Sequence, residues 1–135
     1  MTKQMMTCAN CGLSRPKRKS SYNKYCSISC QHQLQTKERA AKWLDGYNNF
    51  DNRAIRSILK LLRGDQCEVC KITEWNGDKI VFEVEHKDGN SDNNSPDNVC
   101  LICPNCHSQT PTYKGANKGN GRHFRRQRYA EGKSY

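Results

Sequence analysis

Apolar residues recur at helical spacing in the middle of the chain. They stand at positions i, i+3, i+4 and i+7, namely Ile55, Ile58, Leu59 and Leu62. This spacing is typical of the apolar face of an amphipathic helix. Asp51 is a good N-cap for such a helix, and Gly64 is a stop signal. The pattern therefore predicts a helix between these two residues, with one face packed on a core.

A second helix is predicted upstream, over residues 31–45. Charged side chains there are mixed with apolar ones, without Gly or Pro, and the apolar ones are Leu34, Ala41, Trp43 and Leu44. Gly46 follows as a stop signal. Residues 46–50 then form a short linker to the next helix.

Strand-like alternation follows in residues 67–86, where Asn76-Gly77 is a turn signal. Apolar and polar residues then alternate as Ile80, Val81, Phe82, Glu83, Val84 and Glu85. We therefore expect a β-hairpin over 67–86, with Glu85 facing away from the apolar side and His86 at the end of the strand.

Less regular segments complete the chain. Ser95-Pro96 suits the start of a short helical turn, with Ser as N-cap and Pro at the first position. Residues 107–112 are expected to form a final helical turn. From Lys114 onward the chain is rich in Gly, Asn and Arg and has no core pattern, which predicts a flexible basic tail.

Composition limits the apolar core. The chain has 135 residues, 34% of them hydrophobic, and a mean hydropathy of −1.02. This is enough for one modest domain, but the core needs support from elsewhere. The first ten residues lack an apolar run, and no stretch is long enough to cross a bilayer. We therefore expect no signal peptide, no membrane partner and a cytoplasmic location, which is the host cytoplasm if a phage encodes the protein.

Nine cysteines can supply the missing support. Eight fall into four close pairs: Cys8 and Cys11, Cys26 and Cys30, Cys67 and Cys70, and Cys103 and Cys106. Such spacing is typical of zinc ligands in a cytosolic protein and is favoured here over disulfides. We expect two structural Zn²⁺ sites with four cysteines each, with His32 left as a bystander. Cys100 is interpreted as a small buried apolar residue.

Positive charge is concentrated at the two ends of the chain. The net charge of +10 divides into +7 for residues 1–50, −3 for 51–110 and +6 for 111–135. Basic flanks favour a polyanion as partner. No amphipathic helix with a strong apolar face accompanies this charge, so nucleic acid is preferred over a membrane. The candidate DNA-binding residues are Arg15, Lys17, Arg18, Lys19, Lys114, Lys118, Arg122, Arg125, Arg126 and Arg128.

The cysteine pairs Cys67/Cys70 and Cys103/Cys106 bracket a set of chemically useful side chains. Between and directly after them stand Glu85-His86, Asp88-Gly89, Asn98 and His107. With Trp75-Asn-Gly77 and Cys103-Pro-Asn-Cys106-His107, this order resembles the HNH endonucleases, which have a ββα-metal active site. The match covers roughly residues 50–117. The chain is similar to the small HNH proteins of phages and bacteria, several of which carry an N-terminal zinc finger.

The resemblance implies a role for each of these residues. His86 stands at the position of the general base, and Glu85 and His107 at those of the ligands to a catalytic Mg²⁺ or Mn²⁺. Asn98 matches the middle Asn, which orients the base, and the four downstream cysteines match a structural zinc site. The family usually has Asp or His at the position of Glu85. Histidine, with an ordinary pKa of about 6.5, is suited to accept a proton near neutral pH.

The predicted architecture is therefore small α+β. It has a four-cysteine zinc finger at 1–35, a helical linker at 36–50, a zinc-clamped ββα nuclease core at 51–113 and a basic tail at 114–135. The expected protein is a monomeric endonuclease acting on double-stranded DNA, nicking or cutting both strands and leaving 5′-phosphate and 3′-hydroxyl ends. A phage homing enzyme is one setting. The alternatives are a non-catalytic zinc-finger nucleic-acid binder and an RNA-binding zinc ribbon.

Overall fold

The fold is a small α+β arrangement, as expected. The computed structural model describes residues 1–19, 23–117, 119 and 122–132, with the backbone alone for 122–125. The elements in chain order are β1 (Met5–Thr7), β2 (Ser14–Pro16), α1 (Ile28–Leu44), α2 (Asn52–Arg63), β3 (Glu74–Trp75), β4 (Asp78–Lys79), β5 (Glu83–His86), β6 (Val99–Ile102), α3 (Pro104–Ser108), a 3₁₀ turn (Lys114–Asn117) and α4 (Arg122–Ala130). Within these residues the strands form three antiparallel pairs, β1–β2, β3–β4 and β5–β6. None of the described helices is long and apolar enough to cross a bilayer.

Helix α2 begins and ends where the sequence predicts, whereas α1 begins at Ile28, three residues before the predicted start at 31. Asp51 caps α2 by accepting a hydrogen bond from the Ala54 N–H at 2.7 Å, and Gly64 ends it with a φ of 90°. Of the apolar stripe, Ile55, Ile58 and Leu59 are fully buried, whereas Leu62 stays 43% exposed. The buried face of α2 therefore spans little more than one helical turn.

One apolar core joins the helices to the sheet. Its buried members are Ala40, Trp43, Ile55, Ile58, Leu59, Cys67, Phe82, Val99, Leu101, Ile102 and Cys103. All four residues of β6 are buried. The strand packs against α2 and pairs with β5. Trp43, only 1% exposed, brings the last turn of α1 into the same core.

The strand prediction is correct in kind but wrong in pairing. The Asn76-Gly77 turn joins only the two-residue strands β3 and β4. The strand that carries Glu85 starts at Glu83, and it pairs with β6 in the register Glu85↔Cys100 and His86↔Val99. The β6 backbone forms the hydrogen bonds of β5 along its four residues. The two-residue strand β4 pairs only with β3.

Two further expectations are corrected in the C-terminal third. The helical turn expected at 107–112 lies earlier, as α3 (Pro104–Ser108), because Cys103 is its N-cap and Pro fits the first position. The tail expected to be flexible contains α4. Its nine residues lack Gly and include Arg, Gln and Ala, which favour helices, whereas the tail glycines lie outside it.

Four cysteine sulfurs meet at each of two places. The finger cluster is Cys8, Cys11, Cys26 and Cys30, and the core cluster is Cys67, Cys70, Cys103 and Cys106. Within each cluster the sulfurs lie within 4.8 Å of one another. Tetrahedral zinc with Zn–S bonds of about 2.3 Å needs sulfurs about 3.8 Å apart. Separations of 3.6 Å between Cys11 and Cys26 and 3.7 Å between Cys70 and Cys103 fit this requirement.

Backbone N–H groups around the first sulfur of each cluster favour its thiolate. The Cys11 N–H lowers the pKa of the Cys8 thiol to about 6. Burial raises the pKa of the Cys67 thiol, but N–H groups of Cys70 and Cys103 outweigh it and bring that pKa to about 6 as well. One thiol of each cluster thus favours the thiolate, the form that zinc binds, whereas the sulfurs of Cys30 and Cys70 raise the pKa of Cys26 and Cys106, respectively, to about 12.

We expect two zinc ions per chain, one in each cluster, and a substitution in one cluster should remove the ion of that cluster. Cys67→Ser should unfold residues 51–113, since a structural zinc contributes on the order of 10 kcal/mol to folding. Cys8→Ser should lose one zinc but keep the core, because Cys30 and Trp43 lie about 20 Å apart along α1. Metal analysis and near-ultraviolet circular dichroism measure both effects.

The matched control is Cys100→Ala, which removes a buried cysteine outside both clusters and should keep two zinc ions. Wild-type protein with one zinc per chain, or with disulfides between these pairs, would contradict the assignment.

Candidate functional site

His107 lies between two carboxylates on one face of the β5–β6 hairpin. Its Nε2 is 2.8 Å from an oxygen of Glu85, and its Nδ1 contacts an oxygen of Glu83. Glu83 and Glu85 are two residues apart on β5, so they share a face of the strand. His107 approaches from α3, directly after the zinc-cluster residue Cys106. The structure therefore brings together Glu85 and His107, the two predicted cation ligands.

The donor atoms of this pair fit a small divalent cation. Two neighbouring ligands of octahedral Mg²⁺, each about 2.1 Å from the ion, lie about 3 Å apart, close to the 2.8 Å between Glu85 and His107. Because ionised carboxylates only accept hydrogen bonds, each of these two contacts needs either a proton on the ring nitrogen or a cation shared with it. A cation in place of the Nε2 proton would leave the Nδ1–H bond to Glu83, the usual support of a metal-bound histidine.

Glu85 and His107 are held by further contacts. Glu85 is only 6% exposed, and the Thr112 hydroxyl donates a hydrogen bond to its second oxygen. The ring of Tyr113 meets the His107 ring edge-on, with centroids 5.2 Å apart. Both side chains of the pair are thus positioned by the segment that follows α3.

His86 is in a different environment from its neighbour Glu85. Its ring is buried, and its Nε2 lies 2.8 Å from the side-chain oxygen of Asn94. Adjacent residues on a strand point to opposite faces, which explains why Glu85 meets His107 while His86 meets the β5–β6 loop. The proposed base and the cation ligands are therefore adjacent in sequence but supported by different parts of the fold.

Asn98 holds the loop that follows His86. Its amide donates to Asp88 Oδ1 and to the Asn93 carbonyl, both at 2.8 Å, and its oxygen accepts from the Asp88 N–H at 3.0 Å. All three hydrogen bonds join the Asn98 side chain to residues of the β5–β6 loop. Asn98 thus lies where a residue that orients the His86 segment is expected.

Asp88 is the centre of this loop network. Burial raises the pKa of its carboxyl, but hydrogen bonds from the Asn93 amide, the Asn90 N–H and the Asn98 amide outweigh burial and lower that pKa. Gly89 follows with a φ of +71°, and a Cβ there would collide with the Asn117 side chain. The loop is therefore held by the hydrogen bonds to Asp88 and by the Asn117 amide, which donates to the Gly89 carbonyl.

The predicted DNA-binding residues are spread over two regions. Lys17, Arg18 and Lys19 are exposed after β2, whereas Arg15 donates hydrogen bonds to the Tyr25 and Pro16 carbonyls. Lys114 lies beside the Tyr113 ring. In α4, Arg126 is exposed and Arg128 donates to the Gly119 carbonyl. Lys118 and the side chains of Arg122 and Arg125 lie outside the described part of the chain.

Sequence reasoning missed three contributors. Glu83 shares the face of Glu85, and the period-two alternation could have identified it. Thr112 and Asn94 act on Glu85 and His86 across 27 and 8 residues. Both contacts depend on loop paths, for which a single sequence carries no signal.

Comparison with known proteins gives one significant similarity. The chain is 50% identical over 58 residues to the H-N-H endonuclease F-TflIV of Escherichia phage T5. The match covers 43% of this chain but only 26% of the phage protein. No family model matches the chain, and no solved structure matches it significantly. The similarity confirms the predicted resemblance to HNH endonucleases for the matched part of the chain.

Asp88→Asn should weaken the fold in a pH-dependent way. Because the pKa of Asp88 is lowered in the folded state, its stabilisation is complete above the ordinary carboxyl pKa and is lost as the pH falls. We expect a loss of about 1 kcal/mol at neutral pH, modest because Asp88 is partly solvated. Denaturant unfolding of both proteins at a series of pH values measures the difference, which should shrink toward acid.

Zinc release in acid is common to both proteins and cancels in the difference. Asp97→Asn, which alters an exposed carboxylate of the same loop, should change little at any pH. A difference that grows toward acid would contradict the role of Asp88.

Proposed function

We propose that this chain is a metal-dependent DNA endonuclease of the HNH type, which hydrolyses phosphodiester bonds. The observation that carries the proposal is the Glu85–His107 pair, at 2.8 Å, whose carboxylate residue directly precedes the buried histidine His86 on β5. A carboxylate and an imidazole leave most of an octahedral cation open to water and phosphate oxygens. The similarity to a phage protein named as an H-N-H endonuclease supports it.

Glu85 and His107 would hold one Mg²⁺ or Mn²⁺. When bound, such a cation supplies charge neutralisation at the phosphate and its leaving oxygen. Glu83 would keep His107 in the orientation and protonation that suit the cation. Thr112 would keep one oxygen of Glu85 occupied, so that the other is directed at the site.

His86 would act as the general base. It takes a proton from a water molecule as the water oxygen bonds to phosphorus, and the bond between phosphorus and the 3′ oxygen breaks. That oxygen takes a proton from solvent, which leaves a 3′-hydroxyl and a 5′-phosphate. Asn98 would act indirectly, since its hydrogen bonds to Asp88 and Asn93 hold the loop in which His86 is anchored.

Double-stranded DNA is the substrate that the charge distribution favours. The finger loop with Lys17, Arg18 and Lys19 and the basic helix α4 lie on either side of the nuclease unit in sequence. Lysine and arginine gain affinity by releasing counterions from phosphates, so both regions would position the DNA without reading its bases. We place the protein in the cytoplasm as a monomer.

His86→Ala should abolish cleavage while zinc content and fold persist. Removing a general base lowers the rate by about 10²–10⁴-fold. Single-turnover cleavage of plasmid DNA in Mg²⁺ measures the rate, with zinc content and circular dichroism recorded on the same sample.

His32→Ala is the matched control, because His32 lies on α1 outside both cysteine clusters, and it should cleave at the wild-type rate. A folded His86→Ala protein with wild-type turnover would overturn the assignment of the base. Tight DNA binding without cleavage by the wild-type protein would instead favour a non-catalytic nucleic-acid binder.

A further inference from the structure

Asn94 connects His86 to the helical part of the protein. It lies on the loop between β5 and β6 and is only 5% exposed. Its side-chain oxygen is 2.8 Å from His86 Nε2. Its side-chain nitrogen is 2.8 Å from the Phe50 carbonyl and 3.4 Å from the Asn48 carbonyl, both in the α1–α2 connection.

These partners determine which way the amide is oriented. Carbonyl oxygens only accept hydrogen bonds, so the NH₂ group of Asn94 must face Phe50 and Asn48. The amide oxygen must then face His86, and it too can only accept. His86 Nε2 must therefore carry a proton. In the neutral ring the lone pair is then on Nδ1.

The position of Asn94 is set by the packed core. Its backbone carbonyl accepts a hydrogen bond of 2.6 Å from the indole N–H of Trp43. Trp43 is 1% exposed and belongs to the apolar core of α1 and α2. Asn94 is thus held through its backbone and its side-chain nitrogen, and its oxygen remains for His86.

We propose that Asn94 is the positioning residue of His86, which holds the ring in its Nε2–H tautomer and so makes Nδ1 the proton acceptor. The tautomer follows from the hydrogen bonds alone, whereas the use of Nδ1 as a base rests on the proposed function. When Nδ1 takes the proton of the attacking water, the ring becomes an imidazolium and its Nε2–H continues to donate to Asn94. The orientation of the ring is therefore unchanged before and after proton transfer.

The direct test is nuclear magnetic resonance of the zinc-loaded full chain labelled with ¹⁵N. Long-range ¹H–¹⁵N correlations distinguish the two tautomers of a neutral ring, and the spectrum is recorded where the rings are neutral. The His86 signals are those that disappear in His86→Gln. We expect the Nε2–H pattern in the wild type. An Nδ1–H pattern, or a mixture, would overturn the proposal without the need for any variant of Asn94.

Asn94→Ala should release the tautomer and slow cleavage. The His86 signals should change to a mixture of tautomers, and single-turnover cleavage should fall by about 10–100-fold, as for other groups that orient a functional side chain. A folded Asn94→Ala protein with a pure Nε2–H pattern and the wild-type rate would contradict the role of Asn94.

Two further variants distinguish the role of Asn94 from the proposed function. Asn90→Ala changes an asparagine of the same loop whose side-chain oxygen accepts from the Asp92 N–H, and it should leave the His86 spectrum as it is. If the wild type shows the Nε2–H pattern but His86→Ala still cleaves, then the tautomer assignment stands and the proposed function fails.

Discussion

Four sulfur atoms beside the β5–β6 hairpin hold together segments that a small apolar core would join only weakly. Cys67 and Cys70 precede the hairpin, whereas Cys103 caps α3 and Cys106 lies within it. His107 is the next residue along that helix, so the core cluster determines where its ring stands relative to β5. A chain with 34% hydrophobic residues depends on such a site for stability, and here the same cluster also positions His107.

The helices support the other half of the site. Trp43 and the α1–α2 connection hold Asn94, and through it the ring of His86. Arg63, at the end of α2, donates hydrogen bonds to the carbonyls of Pro96 and Val99 and so fixes the approach to β6. The core cluster and one end of the hairpin therefore position Glu85 and His107, the proposed cation ligands, whereas the apolar core positions His86, the proposed base. The two halves meet at the adjacent residues Glu85 and His86.

Local signals in the sequence predicted much of this arrangement. The cysteine spacing indicated both clusters, and the capping residues Asp51 and Gly64 bounded α2 correctly. Glu85 and His107 were paired through a resemblance, and the structure brings them into contact. The partner of β5 was missed, because pairing with β6 depends on a loop that a single sequence does not describe. The same reason explains why Asn94 was not recognised, since its contacts reach across 8 residues to His86 and 44 to Phe50.

The most direct test of the account is whether the zinc-loaded full chain cleaves supercoiled plasmid DNA only when Mg²⁺ or Mn²⁺ is added. Omitting the divalent cation, without a chelator, leaves the structural zinc in place. The account predicts nicked or linear product with the added cation, none without it, and none from Glu85→Gln in either condition. Intact plasmid in every condition, from a folded protein that carries two zinc ions and binds DNA, would contradict it.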